Sequence, residues 1–232
     1  MLSKRLKKVA NNLRKPIYFA DIGSDHAYLP CYICAEDPEA KAIAGEVNEG
    51  PFKRAQKTVR ENDLTDRIQV RKGNGLEIIK MDDPINQITI AGMGGKLIKS
   101  ILEQGKDKLG NVERLILQPN IDANIVREWL MENSYQITEE EIIEEDGYIY
   151  EIIVADKVTS ITFLKRDEVL FGPKLLQEKN PVFIKKWTLE REKRLKLLYS
   201  MKKAKQLPDE KIAQWENDIR LIEEVTYTND KS

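Results

Sequence analysis

The chain has 232 residues, of which 41% are hydrophobic and 33% are charged, and its formal net charge is −1. Such a composition excludes a disordered chain and predicts one globular domain with a sizeable core plus an appendage. No apolar run reaches the length of a membrane span and the amino end lacks the apolar core of a signal peptide, so we expect a cytoplasmic protein without membrane contact.

Positive charge is concentrated near the two ends of the chain. Residues 1–15 contain six basic residues and no acidic one, and residues 182–205 contain nine basic residues against two acidic ones. The region 139–156, by contrast, is strongly acidic. Basic helices at both ends of a nearly neutral chain indicate a polyanionic partner, although solvated helix faces explain the pattern equally well from charge alone.

The first part of the chain alternates between predicted strands and predicted helices. Residues 2–13 repeat apolar side chains at helical spacing and predict a basic amphipathic helix, which Pro16 ends. Strands are then predicted at 17–22, 41–47, 68–72, 85–91 and 114–117, and helices at 29–37, 50–62, 96–104 and 121–133. Strand–helix alternation, five times over, predicts a mostly parallel, doubly wound α/β sheet.

A hairpin is predicted to close this sheet. Residues 135–144 and 148–154 are strand-like, and Asp146-Gly147 between them is a strong turn signal. It predicts an antiparallel edge, the feature that separates methyltransferase-type sheets from dehydrogenase-type ones. We therefore predict a Rossmann-like class I methyltransferase domain over residues 1–157.

Residues 158–232 are predicted to form a second unit. It consists of a connection over 158–181 and two helices, which Leu207-Pro208 separates. An apolar stripe is predicted to pack the two helices on each other as an antiparallel, coiled-coil-like hairpin. Its members are Trp187, Ile212, Trp215 and Ile219. The basic side chains of the first helix would remain available to phosphates.

The turn after the first strand is the strongest candidate for a binding site. Asp21 and Gly23 follow a buried strand and precede a helix, as in ligand crevices of open α/β sheets. Glycine lets the backbone approach a ligand closely, and the helix amino end favours anionic groups such as a carboxylate. The dinucleotide fingerprint G-x-G-x-x-G is absent, and the acid before a single glycine resembles motif I of methyltransferases that bind S-adenosylmethionine.

The other strand ends would line the same edge. Glu46, 25 residues after Asp21, could accept hydrogen bonds from both ribose hydroxyls, and Asn74 could pair with an adenine edge. Each feature alone could equally well have a structural role, such as a strand cap, a solvated acid or a turn. Their common position at one edge of the sheet is much harder to explain by chance. The predicted cofactor-binding residues are Asp21, Gly23, Asp25, Glu46, Asn48, Asn74, Gly75, Gly92, Met93 and Gly94.

Two pairs of side chains near this turn each have two interpretations. His26, the only histidine, could be a satisfied loop residue, but beside Asp25 and Tyr28 we favour a role in the site. Tyr28 could stack on a base or face a sulfonium through a cation–π contact, or its ring could pack at the start of the helix. Cys31 and Cys34 could be a redox pair or half of a zinc site. Two small buried residues one helical turn apart are the favoured interpretation, because further zinc ligands are lacking.

Six motifs together resemble one family. They are D-I-G-S-D-H-A-Y-L-P at 21–30, A-G-E-V-N-x-G-P at 44–51, G-N-G-L at 73–76, A-G-M-G-G at 91–95, L-Q-P-N at 117–120 and E-x-G-x-x-Y-E-I-I at 145–153. Their combination is similar to the bacterial TrmK family, tRNA methyltransferases that act on N1 of adenine 22 in the D-loop region. The resemblance covers almost the whole chain. It implies S-adenosyl-L-methionine as methyl donor and tRNA as partner.

We expect the reaction to depend on placement and electrostatics, because no proton must leave adenine N1 before it attacks. The expected catalytic residues are Asp21, His26 and Tyr28. The expected substrate-binding residues are His26, Tyr28, Pro30, Met93, Gln118, Asn120, Lys4, Arg5, Lys8, Lys185, Lys186 and Arg194. We further expect contact with the D-arm region of tRNA, no metal, and a monomer or weak dimer.

Two other functions remain open on the sequence. One is a methyltransferase of the same fold that acts on another RNA base or on a small molecule, which would have no use for basic terminal helices. The other is a non-catalytic RNA-binding protein that kept the fold, which loss of the cofactor-contacting strand ends would favour.

Overall fold

The computed structural model describes residues 2–204 and 209–227. The strands are β1 (Tyr18–Ile22), β2 (Lys41–Glu46), β3 (Ile68–Lys72), β4 (Gln87–Met93), β5 (Arg114–Pro119), β6 (Tyr135–Glu145) and β7 (Tyr148–Lys157). The helices are α1 (Lys4–Asn11), α2 (Tyr28–Glu36), α3 (Glu49–Glu61), α4 (Gly95–Gln104), α5 (Ala123–Glu132), α6 (Arg166–Phe171), α7 (Pro173–Glu178), α8 (Pro181–Ala204) and α9 (Asp209–Tyr227).

The strands form one sheet in the order β3-β2-β1-β4-β5-β7-β6. Strands β1 to β5 run parallel, and β7 inserts antiparallel between β5 and β6. The chain moves outward from β1 through β2 to β3 and then returns to place β4 on the other side of β1. This reversal creates a crevice at the carboxyl ends of β1 and β4. The predicted fold class, including the antiparallel hairpin, is confirmed.

Two predicted segments differ from the structure. The predicted strand–helix alternation holds for four of the five parallel strands, and after β3, where no helix is predicted, a short 3₁₀ turn covers Gly75–Ile78. The predicted connection over 158–181 contains helices α6 and α7, because Phe171 and Leu175 bury their side chains against Ile142 of β6. The predicted break at Leu207-Pro208 lies outside the described residues.

Apolar side chains cover both faces of the sheet. On one face α4 and α5 bury residues such as Ile98 and Trp129 against Ile90 of β4. On the other face α1, α2 and α3 bury residues such as Leu29 and Val59 against the opposite side of β1 and β2. Burial on both faces explains why the parallel strands are almost continuously apolar in sequence. Across residues 2–204 and 209–227, no helix is both long and apolar enough to span a membrane.

A third apolar cluster joins the carboxyl-terminal helices to the β6–β7 hairpin. The Trp187 ring packs edge-on against the Phe171 ring, with 4.6 Å between centroids, and Ile142 and Ile222 lie in the same cluster. Trp187 of the predicted apolar stripe therefore lies in a cluster that includes both Ile142 of the sheet and Ile222 of α9. The division into units 1–157 and 158–232 stays a prediction.

A buried ion network accompanies this cluster. The guanidinium of Arg127 donates to Glu140 Oε1 and Glu151 Oε2, both at 2.7 Å, and is fully buried. Lys186 of α8 donates to the other oxygen of Glu151. The network thus connects α5, both strands of the hairpin and α8.

We expect Arg127→Met to lower the free energy of unfolding by about 3–5 kcal/mol, because two carboxylates would stay buried without their shared cation. Denaturant titration measures this loss. Arg220→Met is the matched control, because Arg220 is largely exposed on α9, where it pairs with Glu224 at 3.6 Å and donates to Asn217 on the surface. Equal stability of the two variants would contradict a structural role for the network.

Candidate active site at the carboxyl edge of the sheet

The turn between β1 and α2 has an unusual backbone. Gly23 has φ +68°, and the next three non-glycine positions after Ser24 are also left-handed, with φ +43° at Asp25, +71° at His26 and +60° at Ala27. Left-handed non-glycine residues are strained and persist where surrounding structure holds them. Glycine suits the first of these positions because it adopts a positive φ without strain, and a Cβ there would also meet the flexible end of the Met93 side chain.

The end of β2 holds this turn in place. The backbone N–H groups of Gly23 and Ser24 both donate to Gly45 O at 3.0 Å. The N–H of His26 donates to Glu46 Oε1 at 3.2 Å. The predicted ribose acid therefore also supports the turn, which sequence reasoning did not anticipate.

Asp21 is buried beneath the turn. Its two carboxylate oxygens accept hydrogen bonds from the hydroxyls of Ser24 and Thr89, both at 2.6 Å. Burial raises the pKa of Asp21 to about 6, although these two hydrogen bonds oppose the shift. Thr89 lies opposite Asp21 in the β1–β4 register. Neither hydroxyl residue was predicted from the sequence. Thr89 stands out there only as a polar residue inside an apolar strand, and Ser24 only by its position in the turn.

Three acids cluster at this edge, and their arrangement fits a cationic ligand. Burial raises the pKa of Glu46, and the negative charge of Asp25 raises it further. The charges of Glu46 and Asp25 also raise the pKa of Asp21. Carboxylates that destabilise one another in this way gain stability when a positive charge binds between them. A sulfonium such as that of S-adenosylmethionine has this charge, so the residues present fit the predicted cofactor.

The predicted base-pocket residues are partly exposed at the same turn. The rings of His26 and Tyr28 meet edge to face with 5.6 Å between centroids, and Tyr28 is 52% exposed. His26 Nδ1 is buried and has no hydrogen-bond partner among the described residues. Such an atom is suited to a ligand that supplies the missing bond. Pro30 is buried in the first turn of α2, which supports a packing role for it.

The side chain of Gln118 links the ends of β4 and β5. Its Oε1 accepts from Gly92 N at 2.9 Å and from the guanidinium of Arg5, while its Nε2 donates to Asn120 Oδ1 at 3.0 Å. Asn120 in turn donates to Gly92 O at 2.8 Å. Gln118 is fully buried, so it positions its neighbours. The structure thus brings Arg5, from the amino-terminal helix, to the same edge as Gly92.

The remaining predicted cofactor residues lie at the ends of their strands. Asn48 is exposed immediately before α3, and Asn74 is exposed before Gly75, which opens the 3₁₀ turn with φ +55°. Gly94 precedes α4. The backbone N–H of Asn74 donates to Glu77 Oε2 at 3.0 Å. These positions surround the carboxyl edge as the sequence predicted, and their contact with a cofactor stays a prediction.

The basic residues predicted to bind phosphates are largely paired with acids of the β6–β7 hairpin and of α9. Lys8 pairs with Glu141 at 2.6 Å, Lys185 with Glu144 at 2.7 Å and Arg194 with Asp218 at 2.9 Å. The backbone N–H groups of Lys4 and Arg5 donate to Glu145 at 2.6 and 3.2 Å. The acidic region 139–156 therefore partly neutralises both basic helices, and a phosphate must compete with these pairs.

The cysteines show the structural interpretation favoured from sequence. Cys31 and Cys34 are buried and form no disulfide. Burial raises the pKa of Cys31 to about 11 and that of Cys34 to about 12, so both are protonated thiols at neutral pH. Among the described residues, no group of three or more His, Cys, Asp or Glu side chains could hold a metal ion.

Comparison with known proteins gives three related findings. The family model TrmK, tRNA (adenine(22)-N(1))-methyltransferase, matches residues 19–224. A tRNA (adenine(22)-N(1))-methyltransferase of Bacillus subtilis is 51% identical over 193 residues, 82% of this chain and 81% of the relative. An uncharacterized Listeria monocytogenes protein superposes with TM-score 0.91 at 46% identity, covering 97% of this chain and 99% of the other.

A solved structure of a Streptococcus pneumoniae relative contains the predicted cofactor. It was determined in complex with S-adenosyl-L-methionine, has a TM-score of 0.87 and is 43% identical, covering 97% of this chain and all of the other.

The raised pKa of Asp21 predicts a pH-dependent stability. An aspartate in the unfolded chain titrates near 3.8, so its favourable contribution is fully present below that pH and is lost as the pH rises through about 6. In Asp21→Asn this loss disappears. We expect the stability of the variant relative to the parent to rise by about 2.4 kcal/mol between pH 4 and pH 7, measured by urea unfolding.

Asp82→Asn is the control, because Asp82 lies exposed on the surface. If the difference between Asp21→Asn and the parent does not change with pH, the Asp21 carboxyl keeps an ordinary pKa and the assignment is wrong.

Proposed function

Because the chain belongs to the TrmK family of tRNA (adenine(22)-N(1))-methyltransferases, it is an enzyme that uses S-adenosylmethionine to methylate N1 of adenine 22 in tRNA, and we propose that the carboxyl edge of its sheet is the active site. The observation that carries this proposal is the cluster of Asp21, Asp25 and Glu46 around the left-handed turn at the β1–β4 crevice. The small-molecule enzyme and the non-catalytic RNA-binding protein are no longer favoured.

Different residues of this edge would contact different parts of the cofactor. The Gly23 turn would contact the methionine part, where the negative charges of Asp21 and Asp25 favour the cation. Glu46 would accept hydrogen bonds from the ribose hydroxyls, and Asn74 with Gly75 would face the adenine. Gly92, Met93 and Gly94 would form the opposite wall.

The reaction does not require the protein to remove a proton from adenine N1 before methyl transfer. When bound, S-adenosylmethionine supplies a methyl group on a sulfonium, which the lone pair of adenine N1 accepts. Asp21 is mostly ionised at pH 7, because its pKa is about 6, and its negative charge stabilises the positive charge that develops on the base. Asp21 therefore acts by electrostatics, and no residue is needed as a strong base.

The target adenine must leave its stack before N1 is accessible, at a cost of a few kcal/mol. His26, Tyr28, Met93 and Asn120 would receive it. The exposed face of Tyr28 offers stacking, and the unpartnered Nδ1 of His26 offers a hydrogen bond.

The rest of the tRNA would contact the two basic helices. Helix α1 reaches the active-site edge through Arg5, and Lys4 and Lys8 extend the same helix. Lys185, Lys186 and Arg194 of α8 would meet phosphates of the D-arm region, with residues 158–232 as the tRNA-docking unit beside the methyltransferase unit 1–157. The protein would work in the cytoplasm as a monomer or weak dimer.

The proposal is tested by incubating the protein with unmodified tRNA and labelled S-adenosylmethionine and mapping the methylated nucleotide. We expect label at N1 of adenine 22 in the parent and a strongly reduced rate in Asp21→Ala at unchanged fold. Parent-like single-turnover rates in Asp21→Ala would remove Asp21 from the site.

A second prediction concerns the ribose contact. Glu46→Gln keeps an oxygen for the N–H of His26 but loses the charge and one acceptor, so cofactor affinity should fall by about 1–3 kcal/mol, or roughly 5- to 150-fold. Calorimetric titration with S-adenosylmethionine measures this change. Glu61→Gln at the far, exposed end of α3 should bind like the parent. Unchanged affinity in Glu46→Gln would exclude the ribose assignment.

A further inference from the structure

A row of three side chains leads away from the active-site edge along β7. It starts at Arg5, whose Nη1 lies 3.7 Å from the position that a Cβ on Gly92 would occupy. The Arg5 guanidinium lies over the Tyr150 ring, 5.2 Å from its centroid. The Tyr148 ring follows, 6.4 Å from that of Tyr150. Because Tyr148 and Tyr150 are two residues apart on one strand, they project from the same face of the sheet.

The row is held firmly at its inner end and is open at its outer end. Arg5 donates to Gln118 Oε1, the same oxygen that accepts from Gly92 N, and its own N–H donates to Glu145 at the end of β6. Tyr148 directly follows the hairpin turn and is 68% exposed. Tyr148 is therefore not an isolated surface tyrosine, which would need no explanation. Its ring contacts the Tyr150 ring, which contacts a fixed guanidinium at the active-site edge.

Planar cations and aromatic rings are the groups on which proteins stack unpaired bases. Presenting N1 of an adenine requires that the base leave its stack, which also removes a stacking partner from the nucleotide beside it. That neighbour then exposes a base face close to the site. The positive charge of Arg5 suits the phosphate that joins the two nucleotides.

We propose that Tyr148, backed by Tyr150 and Arg5, is a stacking site for the base of the nucleotide next to the target adenine. Stacking on Tyr148 would replace the contact that the neighbouring base loses when the target adenine leaves the stack. It would also hold the RNA strand in the orientation that presents N1 of the adenine. This proposal rests on the proposed function, because it needs tRNA as the substrate and the carboxyl edge as the site of methylation.

Variants of Tyr148 in the full-length protein test the stacking. Tyr148→Ala should weaken binding of unmodified tRNA roughly 5- to 100-fold, as expected for loss of one base–aromatic stack. Tyr148→Phe should bind like the parent, because it keeps the ring. Phe163→Ala is the control, since Phe163 is a similarly exposed aromatic residue, at 75%, between β7 and α6. Parent-like affinity for S-adenosylmethionine in every variant shows that the fold is intact.

A second set of measurements identifies the occupant. tRNAs with an abasic residue on the 5′ side, on the 3′ side, or at the target position itself are each bound to the parent and to Tyr148→Ala. We expect that for one flanking position the abasic tRNA binds the parent weakly and that Tyr148→Ala adds no further loss. Fully additive losses at both flanking positions, or non-additivity only at the target position, would overturn the proposal, as would unchanged tRNA affinity in Tyr148→Ala.

The two proposals fail in different ways. If the parent does not methylate adenine 22, the proposed function fails whatever Tyr148 does. If the parent methylates adenine 22 and the Tyr148 results are negative, only the stacking site is wrong.

Discussion

Three left-handed residues between β1 and α2 raise the free energy of the folded state by about 1–3 kcal/mol each, and contacts from neighbouring strands must offset that strain. Gly45 O accepts two N–H groups of the turn and Glu46 accepts a third. Met93 closes against Gly23 from the other side. Because these contacts come from β2 and β4, the turn reaches its conformation only when the centre of the sheet is assembled. The site is therefore a property of three paired strands rather than of a loop.

The distribution of charge has a consequence for RNA binding. The chain is nearly neutral overall, and many basic side chains of α1 and α8 already have acidic partners on the β6–β7 hairpin or on α9. Nonspecific attraction to RNA grows with the number of phosphates neutralised, so internal pairing reduces it. Affinity must then come more from groups that engage an RNA in one geometry, such as stacking rings and a positioned guanidinium. An enzyme that selects one adenine among many gains specificity from this balance.

The sequence predicted the fold well where local signals are strong, and less well where structure depends on distant partners. Strand-like runs that end close to glycine or proline placed the five parallel strands, and the Asp146-Gly147 turn placed the two strands of the hairpin. Helices α6 and α7 have only six residues each, and Phe171 is buried by contacts with Ile142, which lies far away in sequence. No local period predicts such short helices. The ion pairs of α1 escaped prediction for the same reason, since Lys8 and Glu141 are 133 residues apart.

The same limit applied at the site. Asp21, Gly23 and Glu46 could be located because each follows a strand in a family-like motif. Thr89 could not, since a single hydroxyl in an apolar strand gains meaning only from its register opposite Asp21. Gln118 was predicted as a substrate contact, yet it is fully buried and its amide group hydrogen-bonds to Gly92, Asn120 and Arg5.

Strand β7 connects the active-site edge to both basic helices, because its residues alternate between the two faces of the sheet. Glu151 on one face binds Arg127 and Lys186, which anchors α8, while Tyr150 on the other face carries Arg5 of α1. One strand thus sets the positions of both basic helices relative to the edge where Gly92 lies. A tRNA that contacts both helices is therefore held against a single rigid element, and rigid support is what placing N1 within reach of a methyl group requires.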